Sequence, residues 1–357
     1  MNFSKRIEKT KEIMAAKELE AILLTSPENR FYLSGFTGTA GKLVITPGKN
    51  IFITDFRYVE QAKNEISAFD IKEISKNKKE KLAEFLNSLD IASIGFEEEY
   101  MSYKTHQELN KLCSDITFVP LEEEIKKMRQ IKAQQEIANI QKAIEITERA
   151  FEKLLPEIKP GRTEKELAAE LEYLLKKEGG EKAAFDFIVA SGPRSSLPHG
   201  VASDKKINKG EFITFDFGTY YNNYCSDMTR TVVLGEPSDK QQEVYSIVLK
   251  ANKLVCEKLQ PGMTGAEADA IARDIIKEAG YGENFGHGLG HGLGIEVHES
   301  PRLSTESETT LKAGMVVTNE PGIYIADWGG VRIEDDLLIT EEGCQVLNSS
   351  SKELIKL

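Results

Sequence analysis

Four carboxylates stand inside or at the ends of runs that are otherwise apolar. Asp216 lies in Glu211-Phe212-Ile213-Thr214-Phe215-Asp216-Phe217-Gly218, and Asp227 in Tyr224-Cys225-Ser226-Asp227-Met228-Thr229-Arg230-Thr231-Val232-Val233. Glu320 closes Met315-Val316-Val317-Thr318-Asn319-Glu320, and Glu334 sits within Gly330-Val331-Arg332-Ile333-Glu334-Asp335-Asp336-Leu337-Leu338-Ile339. Desolvating one such ion costs several kcal/mol even after relaxation. Singly, each acid reads more readily as a solvated strand face or a plain Arg–Glu ion pair. Together they supply four negative charges, and His291 adds a neutral nitrogen. One divalent ion would leave an excess of two charges, whereas two divalent ions balance the set. Ligation rich in oxygen with one imidazole suits Mn²⁺, Fe²⁺, Co²⁺ or Zn²⁺ better than a thiolate-loving ion. Such a pair lowers the pKa of a water and polarises a carbonyl or phosphoryl group.

The histidine comes from the run Gly286-His287-Gly288-Leu289-Gly290-His291-Gly292-Leu293-Gly294-Ile295-Glu296-Val297-His298-Glu299, which holds three of the chain's 5 histidines. The spacing from His287 to His291 suits a helical zinc motif, but the alternating glycines oppose a helix at about 1 kcal/mol each. They suit extended backbone onto which a neighbouring chain or ligand can close. A glycine-rich loop whose histidines merely bond to backbone is the plainer alternative.

The acids need strands to carry them. Asp216 and Asp227 are an odd number of positions apart, with a turn around Tyr221-Asn222-Asn223 between them. In a hairpin with a two-residue loop that parity places both on one face, opposed or diagonal. Met315–Glu320 reads as a strand ending at Pro321-Gly322, and Gly330–Ile339 as one continuous strand. Arg332 and Glu334, two apart on it, then face the same side.

The remaining sequence supplies scaffolding. Ser4–Leu19 is a plausible amphipathic helix, and Ala21–Leu24 a buried strand closed by Ser26-Pro27. Phe31–Gly38 reads as turn-rich. Strands at Lys42–Thr46, Ile51–Thr54, near Ile71, Ala92–Phe96 and Ile116–Val119 alternate with charged helices at Arg57–Asn64, Lys79–Leu89 and Tyr103–Leu112. That alternation predicts an α/β layer. No phosphate loop or dinucleotide fingerprint interrupts it. Residues 1–122 are thus expected to form a first domain, 123–135 a linker, and 136–357 the second domain, opened by a long helix through Ile137, Ile140, Ile144 and Phe151.

A weak repeat runs through the second domain. Pro160-Gly161-Arg162-Thr163-Glu164-Lys165-Glu166 is echoed by Pro261-Gly262-Met263-Thr264-Gly265-Ala266-Glu267. Each copy carries a capping box that opens a helix ending near Gly179 or Gly280. Strand-like sequence follows both, so two related halves are expected, with their sheets meeting.

The totals set limits. A chain of 357 residues is long enough for two domains. Its formal net charge of -12 argues against nucleic acid and anionic membrane as partners. Four cysteines share no CxxC spacing, which suits free thiols in a reducing, cytoplasmic setting. No apolar segment has the length of a signal peptide core or a membrane span.

With these residues in place a resemblance becomes visible. Asp216, Asp227, His291, Glu320 and Glu334, in this order and strand context, resemble the metallopeptidases of the "pita-bread" fold: methionine aminopeptidase, prolidase and Xaa-Pro aminopeptidase. Leu197-Pro198-His199-Gly200, Asp216-Phe217-Gly218, Ser226-Asp227-Met228-Thr229-Arg230-Thr231, Gly290-His291-Gly292-Leu293-Gly294, Val297-His298-Glu299, Asn319-Glu320-Pro321-Gly322 and Val331-Arg332-Ile333-Glu334-Asp335 all match. The match runs from about residue 130 to the end. Asn29-Arg30-Phe31-Tyr32-Leu33-Ser34-Gly35-Phe36 is similar to the smaller creatinase-type domain. The fold class implied is α/β (α+β), a small creatinase-type domain ahead of a pita-bread catalytic domain.

The resemblance also implies roles. Asp216 would chelate one ion, Asp227 and Glu334 would bridge both, and His291 and Glu320 would complete the other. Glu320 would share in the proton transfers of the attacking water. His199 and His298 match histidines that hold the substrate near its carbonyl or developing oxyanion. His287 and Tyr324 would line the pocket for the residue after the cleaved bond. Arg332 would orient a neighbouring acid or a substrate carboxylate. Mn²⁺ is the foremost metal, with Co²⁺, Zn²⁺ or Fe²⁺ as alternatives, and a homodimer is expected.

Within the family the separate first domain, Ile295–Glu299 and Gly330–Asp336 favour the proline-directed members. An Xaa-Pro bond lacks the amide N–H and is conformationally restricted, so it needs a dedicated pocket. The expected activity is a two-metal Xaa-Pro aminopeptidase acting on proline-containing peptides, with Xaa-Pro dipeptidase a close second. A non-catalytic peptide-binding module on the same fold would predict degraded ligand positions, and all five are filled.

Overall fold

The computed structural model describes residues 2–357, which divide into two compact units, one ending at Arg129 and one spanning 130–357. The first unit is built on one six-stranded mixed sheet. Its strand order is Asp70–Glu73, Asn50–Thr54, Lys42–Ile45, Ala21–Leu24, Ser93–Phe96, Thr117–Pro120. Ala21–Leu24 is buried at every residue and pairs antiparallel with Lys42–Ile45 and parallel with Ser93–Phe96. Helices Lys78–Asn87 and Tyr103–Leu112 turn Leu82, Leu86 and Leu109 onto it, giving the layered α/β unit that the alternation predicts.

One expectation fails here. Phe31–Gly38 is not a run of turns, because Pro27–Ser34 is a helix. Ser26 caps it by accepting from Asn29 N, Pro27 occupies the first turn, and Gly35 ends it in the left-handed region at φ 78°. The start and stop signals were present, but eight residues are too few to show a helical period.

The second unit opens with Gln134–Leu154. Ile140, Ala143, Ile144, Thr147, Ala150, Phe151 and Leu154 are buried along it at three- and four-residue steps, the stripe that a 3.6-residue period generates. Both capping boxes exist: Thr163 N donates to Glu166 at 2.7 Å and Thr264 N to Glu267 at 2.7 Å. They open helices Glu164–Lys177 and Gly265–Glu278, each followed by a positive-φ glycine, Gly179 and Gly280. Each helix serves its own core. One core gathers Leu167, Leu171, Leu175, Phe215 and Phe217 with the long first helix. The other gathers Ala268, Ala272 and Ile276 with helix Asp239–Lys258 and Val317, Ile323 and Leu337.

Three sheets carry the site. One has the order Met228–Val233, Phe212–Phe217, Ile188–Ser191. A five-stranded sheet runs Glu299–Leu303, Gly290–Gly292, Val316–Asn319, Asp335–Ile339, Cys344–Val346, and Gly322–Ile325 pairs with Gly329–Arg332. They meet where the Thr231 hydroxyl donates to Arg332 O at 3.0 Å and Glu334 N donates to Thr229 O at 3.1 Å.

Candidate metal centre

The acidic hairpin keeps one register from Phe212 opposite Val233 to Phe217 opposite Met228, and the same register continues into Tyr220–Tyr221 and Tyr224–Cys225. Asn222 and Asn223 close it at φ 48° and 63°, the left-handed pair that a two-residue type I′ turn needs. Asp216 therefore faces Thr229. Asp227, two residues before Thr229, shares its side and lies diagonal to Asp216, one of the two placements that parity allowed.

His291 occupies the strand Gly290–Gly292, between Glu299–Leu303 and Val316–Asn319. A Cβ at Gly290 would lie 2.2 Å from Thr318 O, and one at Gly292 would lie 2.4 Å from Ser300 O. The glycines thus let both neighbouring strands close around the imidazole, which is what the alternation implied. His291 N donates to the Thr318 hydroxyl at 3.0 Å, and its Nδ1 lies 3.1 Å from Gly292 O. A carbonyl can only accept, so Nδ1 carries the proton and Nε2 offers a lone pair.

Glu320 sits one residue past strand Val316–Asn319, tied down by its own N–H to Leu289 O at 2.9 Å. The expectation of one strand over Gly330–Ile339 is corrected. Gly329–Arg332 pairs with Gly322–Ile325, and Asp335–Ile339 pairs with Val316–Asn319, so the chain changes sheets at Ile333-Glu334. The change is stable because Thr229 and Thr231 take the backbone bonds that a continuous ladder would have supplied. Arg332 and Glu334 still open onto the same cavity.

That cavity, about 450 Å³, is lined by Asp216, Asp227, His291, Glu320 and Glu334, and also by His199, His287, His298 and Arg332. Nine of the ten predicted site residues therefore converge. Tyr324, the tenth, stands behind His287 and Arg332, bonded to both. Ligand atoms of Asp227, His291 and Glu334 lie within 4.8 Å of one another. His291 Nε2 is 3.4 Å from Glu320 Oε1 and 3.7 Å from Asp227 Oδ2. A lone pair aimed at two carboxylates is repulsive unless a proton or a cation lies between them.

The electrostatics carry the same message. Burial, then the neighbouring carboxylates, pushes Asp227 and Glu334 well above the usual carboxylate range. Burial raises Glu320 to about 8, against the pull of Arg332. Burial, with His298 next, lowers His291 to about 3. Asp216 Oδ1, Asp227 Oδ1 and Glu334 Oε1 are buried without hydrogen-bond partners. Buried polar atoms are seldom left so, and oxygens that converge unpartnered beside a free imidazole nitrogen fit divalent cations.

The partnered oxygens show how the set is aimed. The Thr229 hydroxyl donates to Glu334 Oε2 at 2.6 Å, the Thr318 hydroxyl to Glu320 Oε1 at 3.3 Å, and Asp227 N to Asp336 Oδ2 at 3.1 Å. Arg332 donates from Nη2 to Asp216 at 2.6 Å, from Nη1 to the Tyr324 hydroxyl at 2.7 Å and from Nε to the Thr229 hydroxyl at 3.1 Å. Burial lowers His287 to about 4, so it is neutral at pH 7. Its Nδ1–H donates to Gly288 O at 2.7 Å, and its Nε2 accepts from the Tyr324 hydroxyl at 2.8 Å. His298 packs edge-on against His291, with ring centroids 4.4 Å apart.

Two kinds of site residue escaped the sequence. Thr229 was legible in principle, since it stands two places from Asp227 on the same strand face. Arg302 was not, because only the pairing of Gly290–Gly292 with Glu299–Leu303 sets it opposite His291 and on the cavity wall.

Residues 138–341 match the family model of Metallopeptidase family M24, and residues 6–131 match that of the Creatinase/Prolidase N-terminal domain. An Xaa-Pro dipeptidase of Pyrococcus horikoshii is 44% identical over 355 residues, covering 99% of both chains. The structure of an Xaa-Pro dipeptidase from Bacillus anthracis superposes with a TM-score of 0.97 at 46% identity, covering 100% of both. That of an X-Pro aminopeptidase from Thermotoga maritima gives 0.92 at 42% identity, covering 98% of this chain and 100% of the other. Family match and convergent ligand set agree: the chain belongs to metallopeptidase family M24, with a creatinase/prolidase N-terminal domain preceding the catalytic one.

Proposed function

We propose that this chain is a two-metal exopeptidase that hydrolyses Xaa-Pro dipeptides, using Asp216, Asp227, His291, Glu320 and Glu334 to hold the metals. The observation that carries the reading is the His291 Nε2 lone pair facing Glu320 and Asp227 at 3.4 and 3.7 Å, amid orphaned carboxylate oxygens. Two divalent cations there, Mn²⁺ foremost, would activate a water and polarise the scissile carbonyl.

The chain's own groups do the rest. His199 and His298 line the cavity where an imidazole N–H can donate to charge developing on the carbonyl oxygen. Glu320, on the cavity wall beside the attacking water, can accept its proton as a carboxylate and pass it to the leaving imino nitrogen. Neutral His287 lines the pocket for the residue after the cleaved bond, and behind it the Tyr324–Arg332–Asp216 chain of hydrogen bonds keeps that wall in place.

Dipeptidase is placed ahead of aminopeptidase for two reasons. Relatives that match this chain end to end are described as Xaa-Pro dipeptidases. Arg302 also lines the cavity as an exposed guanidinium, suited to the free carboxylate that a dipeptide brings so close to the cleaved bond. The X-Pro aminopeptidase likeness keeps the second reading in play. A cytoplasmic setting and a homodimer belong to the same proposal; among the described residues no helix is long and apolar enough to cross a membrane.

The test compares Xaa-Pro, Xaa-Pro-Yaa and Xaa-Ala on the manganese-loaded protein. Faster turnover of Xaa-Pro than of the other two supports the dipeptidase. Preference for Xaa-Pro-Yaa establishes the aminopeptidase instead, and equal rates on Xaa-Ala remove proline specificity. Elemental analysis giving fewer than two ions per chain at full activity would overturn the dinuclear assignment.

A further inference from the structure

We infer that Glu164 is the positioning residue for His199, closing on one buried carboxylate the loop that carries this histidine. The inference rests on the function proposed above, and it concerns a residue that touches neither metal nor substrate.

Glu164 is fully buried, in the first turn of helix Glu164–Lys177 beside the Thr163 cap. A helix N-terminus favours negative charge, yet this carboxylate is spent almost wholly on another segment. Its Oε1 accepts from the backbone N–H and the hydroxyl of Ser191, both at 2.8 Å. Its Oε2 accepts from the backbone N–H of Ser203 at 3.0 Å and from the Ser203 hydroxyl at 2.7 Å, and it pairs with the Arg194 guanidinium. Ser191 and Ser203 are the two ends of the stretch containing Leu197-Pro198-His199-Gly200. Arg194, inside it, donates onward to Val201 O at 2.9 Å. One side chain thus ties down both ends and, through Arg194, the arm beyond His199.

The stretch needs such a tie. His199 is exposed, and Leu197 and Val201 on either side of it are 50% and 52% exposed, so apolar packing does not fix the tip. Two further bonds set its distance from the metal-bearing strands: Gly330 N donates to the Ser195 hydroxyl at 2.8 Å, and Arg332 Nη1 to Pro198 O at 3.3 Å. An imidazole that must meet a carbonyl oxygen loses about 100-fold in rate when displaced by about an ångström. Charge-assisted bonds from one fixed point are an efficient way to prevent that displacement.

Glu164→Gln keeps the shape but places an amide NH₂ against the donors on one side. On manganese-loaded enzyme with an Xaa-Pro dipeptide, we expect kcat/KM to fall about 10- to 100-fold, with manganese per chain unchanged. In a His199→Ala background the same substitution should cost less than about twofold, because the residue it positions is gone. Wild-type kinetics for Glu164→Gln would overturn the inference, as would an equal proportional loss in both backgrounds. Should Glu164→Gln not fold, Ser203→Ala removes one hydroxyl and enters the same cycle, with about a fivefold loss expected. Should the wild type cleave no proline peptide, the function proposed above fails by itself. Amide exchange over residues 192–202 then decides this inference, faster exchange in Glu164→Gln supporting it and unchanged exchange refuting it.

Discussion

Arg332 Nη2 lies 2.6 Å from Asp216 Oδ2, while the other oxygen of that aspartate is buried without a hydrogen-bond partner. One half of the carboxylate is thus neutralised by protein and the other half is left for a cation. Removing one member of a buried pair costs about 3–5 kcal/mol. Arg332→Met should lose about that much in urea unfolding of the metal-free protein. With saturating manganese the loss should shrink, since a cation then shares the aspartate's charge. An equal loss with and without metal would show that Arg332 and the metals do not share Asp216.

Thr229 bridges the same two systems, donating to Glu334 Oε2 at 2.6 Å and accepting from Arg332 Nε at 3.1 Å. Valine keeps its volume and β-branching but can do neither. Groups that aim metal ligands are typically worth about 10- to 100-fold in affinity or activity, so Thr229→Val should weaken manganese binding by about that factor. Titration calorimetry measures it directly. Wild-type affinity would mean that Glu334 needs no help to hold its rotamer.

The pH dependence follows from the buried acids Asp227, Glu320 and Glu334, with Asp336 beside them shifted the same way, and from the buried imidazoles. His287 and His291, lowered to about 4 and about 3, stay neutral in the folded protein above pH 6.5, whereas imidazoles of the unfolded chain are about half protonated at pH 6.5 and lose that charge by pH 8. They therefore add a smaller contribution of opposite sign, concentrated below pH 7. Glu320, raised to about 8, and Asp227 and Glu334, raised well above the usual range, still hold protons there that an unfolded chain has released. Where the folded state binds more protons, stability falls as pH rises. The metal-free protein should melt at a lower temperature at pH 8 than at pH 6.5. Manganese affinity should rise over the same interval, because binding must displace those protons. Calorimetry at both pH values checks each half, and a metal-free protein that melts higher at pH 8 would sink the account.

Much of this site was readable because its parts obey local rules. The parity between Asp216 and Asp227 survived because Asn222-Asn223 forms a two-residue turn without a bulge. The glycines around His291 announced close backbone approach, and Thr318 O and Ser300 O are the approaching atoms. What could not be read depends on which strands pair across long separations. Gly330–Ile339 looks like one strand until Thr229 and Thr231 are seen receiving its middle. Glu164 looks like an ordinary capping-box neighbour until Ser191 and Ser203 are seen folding back onto it. The short helix Pro27–Ser34 was obscured for a different reason, its caps being clear and its period too brief.

Lys132 and Glu299 make the last case, a pair whose side chains are 1% and 4% exposed with Nζ 3.2 Å from Oε2. The other oxygen of Glu299 accepts from Ile295 N at 3.1 Å and Glu296 N at 3.2 Å, which shapes the bend leading into His298. Lys132 is itself anchored by its backbone N–H to Gly314 O at 2.8 Å. Lys132→Met would take a buried ammonium away from this carboxylate, at a cost of about 3–5 kcal/mol. Adding Glu299→Gln to Lys132→Met should recover most of that loss. The amide oxygen can still accept both backbone bonds, and the charge that Lys132 balanced is removed with it. Urea midpoints of the two single variants and the double variant measure the coupling. Strict additivity of the two losses would mean that the ion pair contributes nothing beyond the packing of its stems.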